Sequence, residues 1–218
     1  MNRRLAVVLI ASLALAIFAA ATYFQTRWRP EAPSIVVKED KLIRPHSPVL
    51  GPASAPVTIV EFFDPSCEAC RAFYPTVKEI MATYPQDVSV VIRYTDFHPA
   101  SKEAIRLLEA ARKQGKFQRV MEWLLLNQEQ WGADGNPNPQ RVWEIAGEVG
   151  LDVAQAKKDG STPAVDAVLE QDAADVTAVG ITGTPTFFVN GRPLENFGKQ
   201  QLIDLVGREV EASKRQSP

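Results

Sequence analysis

The sequence predicts an α/β protein in which a mixed β-sheet is interrupted by a block of helices. Three patterns support this prediction: a strand–helix–strand unit, a long stretch with helical spacing, and a strand that ends in a hairpin turn. These segments are 57–63, 72–83 and 88–94, then about 100–180, then 186–189 and 192–195. The sheet should combine parallel and antiparallel strands, because a crossover helix joins parallel strands and a tight turn joins antiparallel ones.

The strand–helix–strand unit brings two strand ends to one edge of the sheet. Residues 57–63 and 88–94 are rich in β-branched and aromatic side chains, which are typical of buried strands. A helical crossover between them implies parallel strands, so their carboxyl ends lie at the same edge. Ligand sites in open α/β sheets gather at such an edge.

The helical stretch lies between the two parts of the predicted sheet. Apolar residues keep helical spacing from about 100 to 180, which indicates an inserted helical subdomain. The sheet then resumes, and Asn190-Gly191 is a strong signal for a two-residue hairpin turn. An amphipathic helix to about Ser213 completes a domain predicted to span 57–213.

The composition supports a single compact domain and argues against nucleic-acid binding. The chain has 218 residues, of which 45% are hydrophobic and 23% charged, enough to bury a core. Its formal net charge of −2 provides no positive field for a nucleic-acid backbone.

The N-terminus has the pattern of an export segment. Arg3 and Arg4 precede an apolar run at residues 5–24, so the arginines should stay cytoplasmic while the following chain crosses the membrane. We expect residues 1–24 to be an uncleaved signal anchor in the inner membrane, because the run approaches the ~20 residues that span a bilayer. Cleavage after Ala19-Ala20-Ala21 is the alternative.

The next segment, 25–56, is predicted to be a proline-rich linker. Its prolines prevent any long helix. A short edge strand is expected at Ile35–Val37, and His46 is expected to be exposed and without a partner.

Both cysteines of the chain lie where the first strand gives way to a helix. Cys67 and Cys70 are three positions apart, close enough on a helical turn to form a disulfide. The free amides and positive end of the helix dipole favour a thiolate at Cys67, so Cys67 should attack and Cys70 should resolve. A copper or zinc site is an alternative, but only His46 and His98 could add imidazole ligands. We expect no metal and no cofactor besides the cysteine pair.

Glu61 does not fit its surroundings, because it lies inside the apolar run 57–63. An ionised carboxylate there is costly unless it is paired or protonated. One interpretation is a structural salt bridge. The other is a carboxyl with a raised pKa that exchanges a proton with Cys70.

Two further positions are candidates for the site. His98 follows the second strand, where it could modulate the thiolate or contact substrate, although it also suits an ordinary loop. Pro185 stands directly before the strand 186–189, where a cis peptide bond would expose the backbone of Thr184 to an extended peptide. A trans proline in a plain loop is the alternative.

Taken in order along 56–210, these features resemble the DsbA-like branch of the thioredoxin superfamily. The matching residues are Glu61, Cys67, Cys70, Pro75 and Thr184-Pro185, with the helical insertion between the two halves. The resemblance implies a thioredoxin fold with βαβ and ββα halves, a cis Pro185, and an exported thiol–disulfide oxidoreductase outside the cytoplasm.

The resemblance implies protein substrates and a membrane redox partner of the DsbB type. We expect a disulfide-forming oxidase, with a reductase or isomerase kept reduced by a membrane donor as the alternative. Glu68-Ala69 stands where strong oxidants of this branch commonly carry Pro-His. An anionic Glu68 opposes the thiolate, so we expect the pKa of Cys67 in the upper part of the ~3.5–7.5 range of activated cysteines.

Overall fold

The computed structural model describes residues 13, 15–20, 23, 39–132 and 137–216. The chain divides into two units, Met1–Ser34 and Ile35–Pro218. In the first unit, the described residues are helical and exposed. No helix within the described ranges has the length and apolar character needed to cross a bilayer. Most of the predicted anchor at 5–24 lies outside these ranges, as does the predicted edge strand at Ile35–Val37.

The second unit is a mixed sheet with helices. The strands are β1 (Val49–Leu50), β2 (Val57–Phe63), β3 (Val88–Tyr94), β4 (Thr186–Val189) and β5 (Arg192–Pro193). The helices are α1 (Glu39–Leu42), α2 (Glu68–Thr83), α3 (Ser101–Lys113), α4 (Phe117–Leu126), α5 (Arg141–Glu148), α6 (Val153–Gly160), α7 (Pro163–Val179) and α8 (Lys199–Gln216). A 3-10 turn, Gln128–Gln130, follows α4.

The strand order, β1-β3-β2-β4-β5, confirms the predicted mixed sheet. β2 and β3 are parallel, and each of the other neighbouring pairs is antiparallel. In the register of the parallel pair Phe63 lies opposite Tyr94, so both strands end at the same level. Helices α3 to α7 lie between β3 and β4 in the chain, as the predicted insertion requires.

The two faces of β2 belong to different parts of the core. Ile59 and Phe63 belong to the larger apolar cluster, which also contains Cys70, whereas Val60 and Phe62 belong to a second cluster on the other face. Successive side chains of a strand point to opposite faces, so Glu61 shares its face with Ile59 and Phe63. Its carboxyl therefore lies on the side of the sheet that α2 covers.

The structure corrects part of the predicted linker at 25–56. Strand β1 pairs with β3, and Leu42 is only 1% exposed, so the segment from 39 to 56 belongs to the fold. The prolines there are compatible with it, because an edge strand does not need every backbone N–H. The carbonyl of Pro48 even accepts a hydrogen bond from Ile92 N at 2.9 Å.

A group of charged side chains, which we call the Arg93 network, connects this segment to α7. Its members are Arg44, His46, Arg93, Asp172 and Asp175. Arg93 is fully buried and donates to Asp172 at 2.8 Å and to Asp175 at 2.6 Å. From the N-terminal segment, Arg44 reaches Asp175 at 2.6 Å and His46 Nε2 lies 2.8 Å from Asp172. His46 was expected to be exposed and without a partner, and the structure contradicts that expectation.

Candidate active site

The cysteine pair lies at the start of α2, with both thiols free. Cys67 is the N-cap residue in an extended conformation, with φ −72° and ψ 121°, and Cys70 lies within the first turn. Cys67 is 7% exposed and Cys70 is 0% exposed. Of the two sulfurs, that of Cys67 is therefore the one that a substrate can reach.

The surroundings of Cys67 stabilise its thiolate. A hydrogen bond from the Cys70 thiol makes the largest contribution, and burial opposes it. The Thr184 side chain and the backbone N–H groups of Cys70 and Ala69 also favour the anion, and together they lower the pKa of Cys67 to about 5. This value lies below the predicted upper range. Glu68 is exposed, and it is not among the largest influences on this pKa.

Thr184, which lies just before β4, contacts the sulfur of Cys67. The peptide bond between Thr184 and Pro185 is cis. The Cys67 thiol donates to the Thr184 carbonyl at 3.3 Å. This bond can exist only while Cys67 is protonated, whereas the Thr184 side chain favours the thiolate. Thr184 therefore contacts the sulfur in both protonation states.

Cys70, in contrast to Cys67, is held as the protonated thiol. Burial and its hydrogen bond to Cys67 raise the pKa of Cys70 well above its ordinary value. The backbone N–H of Asp64 donates to its sulfur at 3.5 Å, which is a smaller, opposing effect. At neutral pH the pair is thus one thiolate and one thiol.

Glu61 is 3% exposed beneath this pair. Burial, followed by the negative charge of Cys67, raises the pKa of Glu61 to about 8. Within the described ranges no cation pairs with Glu61, so the salt-bridge interpretation lacks a partner. Glu61 also interacts electrostatically with Cys70, and at neutral pH it is a largely protonated acid.

Asp64 is a site residue that the sequence reasoning missed. Its carboxyl is fully buried and joins the end of β2 to the loop between β3 and α3. Its hydrogen-bond donors are Ser66 N, Phe97 N and His98 N, at 2.8, 2.8 and 3.3 Å, and the hydroxyl of Ser101. The only sequence signal was an acidic residue directly after a buried strand.

His98 lies at the strand end where the sequence placed it, and its contact there is Asp64. Its Nδ1 is 3.0 Å from Asp64 Oδ2, and the side chain is 26% exposed. Asp64 in turn donates its backbone N–H to Cys70. His98 is thus connected to the cysteine pair through Asp64.

Gln128 is the second residue that was missed as a site residue. It comes from the helical insertion, is 2% exposed, and hydrogen-bonds the loop that carries Cys67. By contrast, the described residues contain no cluster of three or more His, Cys, Asp or Glu side chains placed to hold a metal ion. The arrangement suits nucleophilic exchange at sulfur, with a thiolate, a resolving thiol and a buried acid close together.

A family model and similar solved structures both indicate a thioredoxin-like protein. Residues 44–206 match the family model described as thioredoxin. A thioredoxin-like oxidoreductase from Silicibacter pomeroyi DSS-3 is 34% identical, with a TM-score of 0.69 over 84% of this chain and 100% of that one. Oxidised BdbD from Bacillus subtilis shares the fold at 24% identity, with a TM-score of 0.68 over 76% of this chain and 94% of that one.

Curated relatives include much longer proteins. A Na(+)/H(+) antiporter NhaA from Herminiimonas arsenicoxydans is 32% identical over 167 residues, which is 77% of this chain but 25% of that protein. The chain therefore spans about a quarter of the length of such relatives. The chain belongs to the thioredoxin family.

Proposed function

We propose that the protein forms disulfide bonds in exported proteins by passing on a disulfide between Cys67 and Cys70. The observation that carries the proposal is the stabilised thiolate of Cys67, whose pKa is lowered to about 5. A thiolate exists only in the reduced pair, so stabilising it favours reduction of the protein and oxidation of its substrate. That preference supports the direction of electron flow that we propose.

The exchange takes place in two steps. A substrate thiolate attacks Cys67 Sγ, the Cys67–Cys70 bond breaks, and the leaving Cys70 sulfur takes up a proton. Glu61 can supply that proton because burial, the larger of the two causes that raise its pKa, acts also when Cys67 carries no charge.

In the second step, the other substrate thiolate attacks the substrate sulfur of the mixed disulfide. Cys67 then leaves as a thiolate, and its low pKa makes it a good leaving group. Two electrons have passed from the substrate dithiol to the cysteine pair. One proton from the substrate goes to solvent, and the other replaces the one taken from Glu61.

Substrate would lie along Thr184. Its carbonyl is 3.3 Å from the sulfur of Cys67, so a peptide joined to Cys67 must pass beside this backbone. Hydrogen bonds from the main chain of an extended peptide to Thr184 would hold substrates of many sequences. We assign Thr184 and Pro185 to substrate binding on this ground.

Residues 1–24 would direct export to a compartment where disulfides persist. A quinone-linked membrane protein of the DsbB type would then reoxidise the cysteine pair. An uncleaved segment would keep the protein in the membrane fraction. A mature N-terminus near Thr22 would contradict anchoring while leaving export intact.

The direction is tested by trapping thiols in intact cells with acid and an alkylating reagent. We expect most of the Cys67–Cys70 pair to be oxidised at rest. A sample that is reduced before alkylation marks the position of the chain with both thiols free. A mostly reduced pair would contradict the oxidase and favour a reductase or isomerase.

A further inference from the structure

Gln128 is a buried side chain of the helical insertion that reaches the cysteine loop. It begins the 3-10 turn Gln128–Gln130 after α4 and is 2% exposed. Along the chain it is 61 residues from Cys67. Its side-chain amide therefore makes a contact between the insertion and the thioredoxin part of the fold.

The amide of Gln128 binds two carbonyl groups at once. Nε2 donates to the carbonyl of Pro65 at 2.9 Å and to that of Cys67 at 3.1 Å. The Cys67 carbonyl also accepts the backbone N–H of Arg71 at 3.1 Å, the first hydrogen bond of α2. Within the described part of the chain, the Pro65 carbonyl has no other hydrogen-bond donor. The amide thus spans the turn that leads into α2.

This turn determines how Cys67 meets the helix. The backbone N–H groups of Ala69 and Cys70 favour the anion at Cys67 Sγ, which requires Cys67 to keep its extended N-cap conformation. A donor at the Cys67 carbonyl holds the peptide plane that begins the helix. The same donor polarises that peptide and so favours negative charge nearby.

We propose that Gln128 is a positioning residue that holds the 65–67 turn in the geometry in which the N–H groups of α2 reach the Cys67 sulfur. The helical insertion then takes part in setting the redox equilibrium of the cysteine pair. This inference rests on the proposed function only in taking Cys67 as the attacking sulfur. It does not depend on the direction of electron flow in the cell.

The test is Gln128→Met in the full chain, because methionine nearly preserves the volume but cannot donate. The matched control is Gln130→Met, since Gln130 is exposed on the same turn and binds Asn127 Oδ1. The pKa of Cys67 is read from the ultraviolet absorbance of its thiolate, and the redox equilibrium is measured against glutathione.

We expect Gln128→Met to raise the pKa of Cys67 by about one unit. The equilibrium constant should shift about tenfold, or about 30 mV, towards a less oxidising disulfide. The control should leave both values unchanged. If the two variants are indistinguishable in both measurements, the positioning role is wrong.

Gln128→Glu separates positioning from space filling. Glutamate matches the shape of glutamine more closely than methionine, but it presents an acceptor and a charge to the two carbonyl groups. We expect it to raise the pKa of Cys67 more than Gln128→Met does. A glutamate variant that behaves like the wild type would show that Gln128 only fills space.

Urea unfolding of the dithiol and disulfide forms tests the same proposal when a variant is less stable than the wild type. A purely structural role predicts equal losses of stability in the dithiol and disulfide forms. Positioning predicts a larger loss in the dithiol form, because only that form contains the Cys67 thiolate. Failure of the wild-type protein to exchange with glutathione would count against the proposed function, whereas the comparison of pKa values decides the role of Gln128.

Discussion

Among single residues, Glu61 lowers the stability of the fold at neutral pH, because burial disfavours its ionised form. Its carboxyl has a pKa of about 8 in the fold against 4.5 when unperturbed. The contribution of the protonated carboxyl to the stability of the fold is therefore complete below pH 4.5, and it is lost as the pH rises through 8. We expect Glu61→Gln to raise the free energy of unfolding of the dithiol form at pH 7 by about 3 kcal/mol.

Urea unfolding at pH 7 and at pH 4 checks this prediction. The gain should be absent at pH 4, where the wild-type carboxyl is protonated in both the folded and the unfolded chain. Glu68→Gln is the matched control, because Glu68 is exposed and its replacement should change stability by less than about 0.5 kcal/mol. The same Glu61→Gln variant should exchange disulfides more slowly, since glutamine cannot donate a proton to Cys70.

A site residue could be predicted from the sequence when the residues that it contacts lie close to it along the chain. Cys67, Cys70 and Glu61 are close in sequence, so one strand–helix junction was enough to suggest them. Asp64 binds groups 33 to 37 residues away, and Gln128 binds carbonyls 61 and 63 residues away. No local pattern reveals such contacts, because they depend on how the insertion folds back onto β2.

Among the secondary-structure elements, the Arg93 network connects three parts of the chain. Burial alone would raise the pKa of Asp175, but hydrogen bonds from Arg44 and Arg93 lower it to about 2. Since the ordinary value is 3.8, this contribution is present above pH 3.8 and is lost as the pH falls towards 2. Asp175 thus stabilises the docking of the N-terminal segment at neutral pH.

We expect Asp175→Asn to destabilise the protein at pH 7 by about 3 kcal/mol, because it removes the carboxylate that pairs with both Arg44 and the buried Arg93. Urea unfolding measures the loss, which should shrink towards pH 2. Amide exchange of residues 42–50 should accelerate as their docking weakens. Asp166→Asn is the control, since Asp166 lies on the same helix with a side chain that is 47% exposed. Equal effects of the two variants would contradict the role of the network.

The elements also show why the predicted linker was too long. Proline and charge in a segment argue against a long helix, but they do not exclude a two-residue edge strand. The residues that dock this segment are on β3 and α7, far along the chain. The parallel strand–helix–strand unit and the hairpin were predictable because periodicity and turn residues are local signals.

For the whole molecule, stability should depend on redox state and pH together. The pKa of Cys67 is about 5 in the folded dithiol form, against an ordinary value of 9.0. Its lowered pKa stabilises the fold fully above pH 9.0, and this stabilisation is lost as the pH falls through 5. The disulfide form has no thiolate and should lack this dependence.

Urea unfolding of both redox forms at pH 5 and pH 7 measures the effect. The stability of the dithiol form relative to the disulfide form should grow by about 2 kcal/mol between these pH values. A Cys67→Ser variant, which forms no disulfide, should lose stability relative to the wild-type dithiol form over the same pH interval. Parallel pH profiles for the two wild-type forms would contradict a stabilised thiolate.

The sheet has a further consequence for the proposed exchange with unfolded substrate chains. Its two outer strands, β1 and β5, are only two residues long, and β5 consists of the exposed Arg192 followed by Pro193. Short edges that carry charge and proline offer few backbone groups to a foreign strand. An unfolded client can therefore meet the sulfur of Cys67 without finding a template for aggregation at the borders of the sheet.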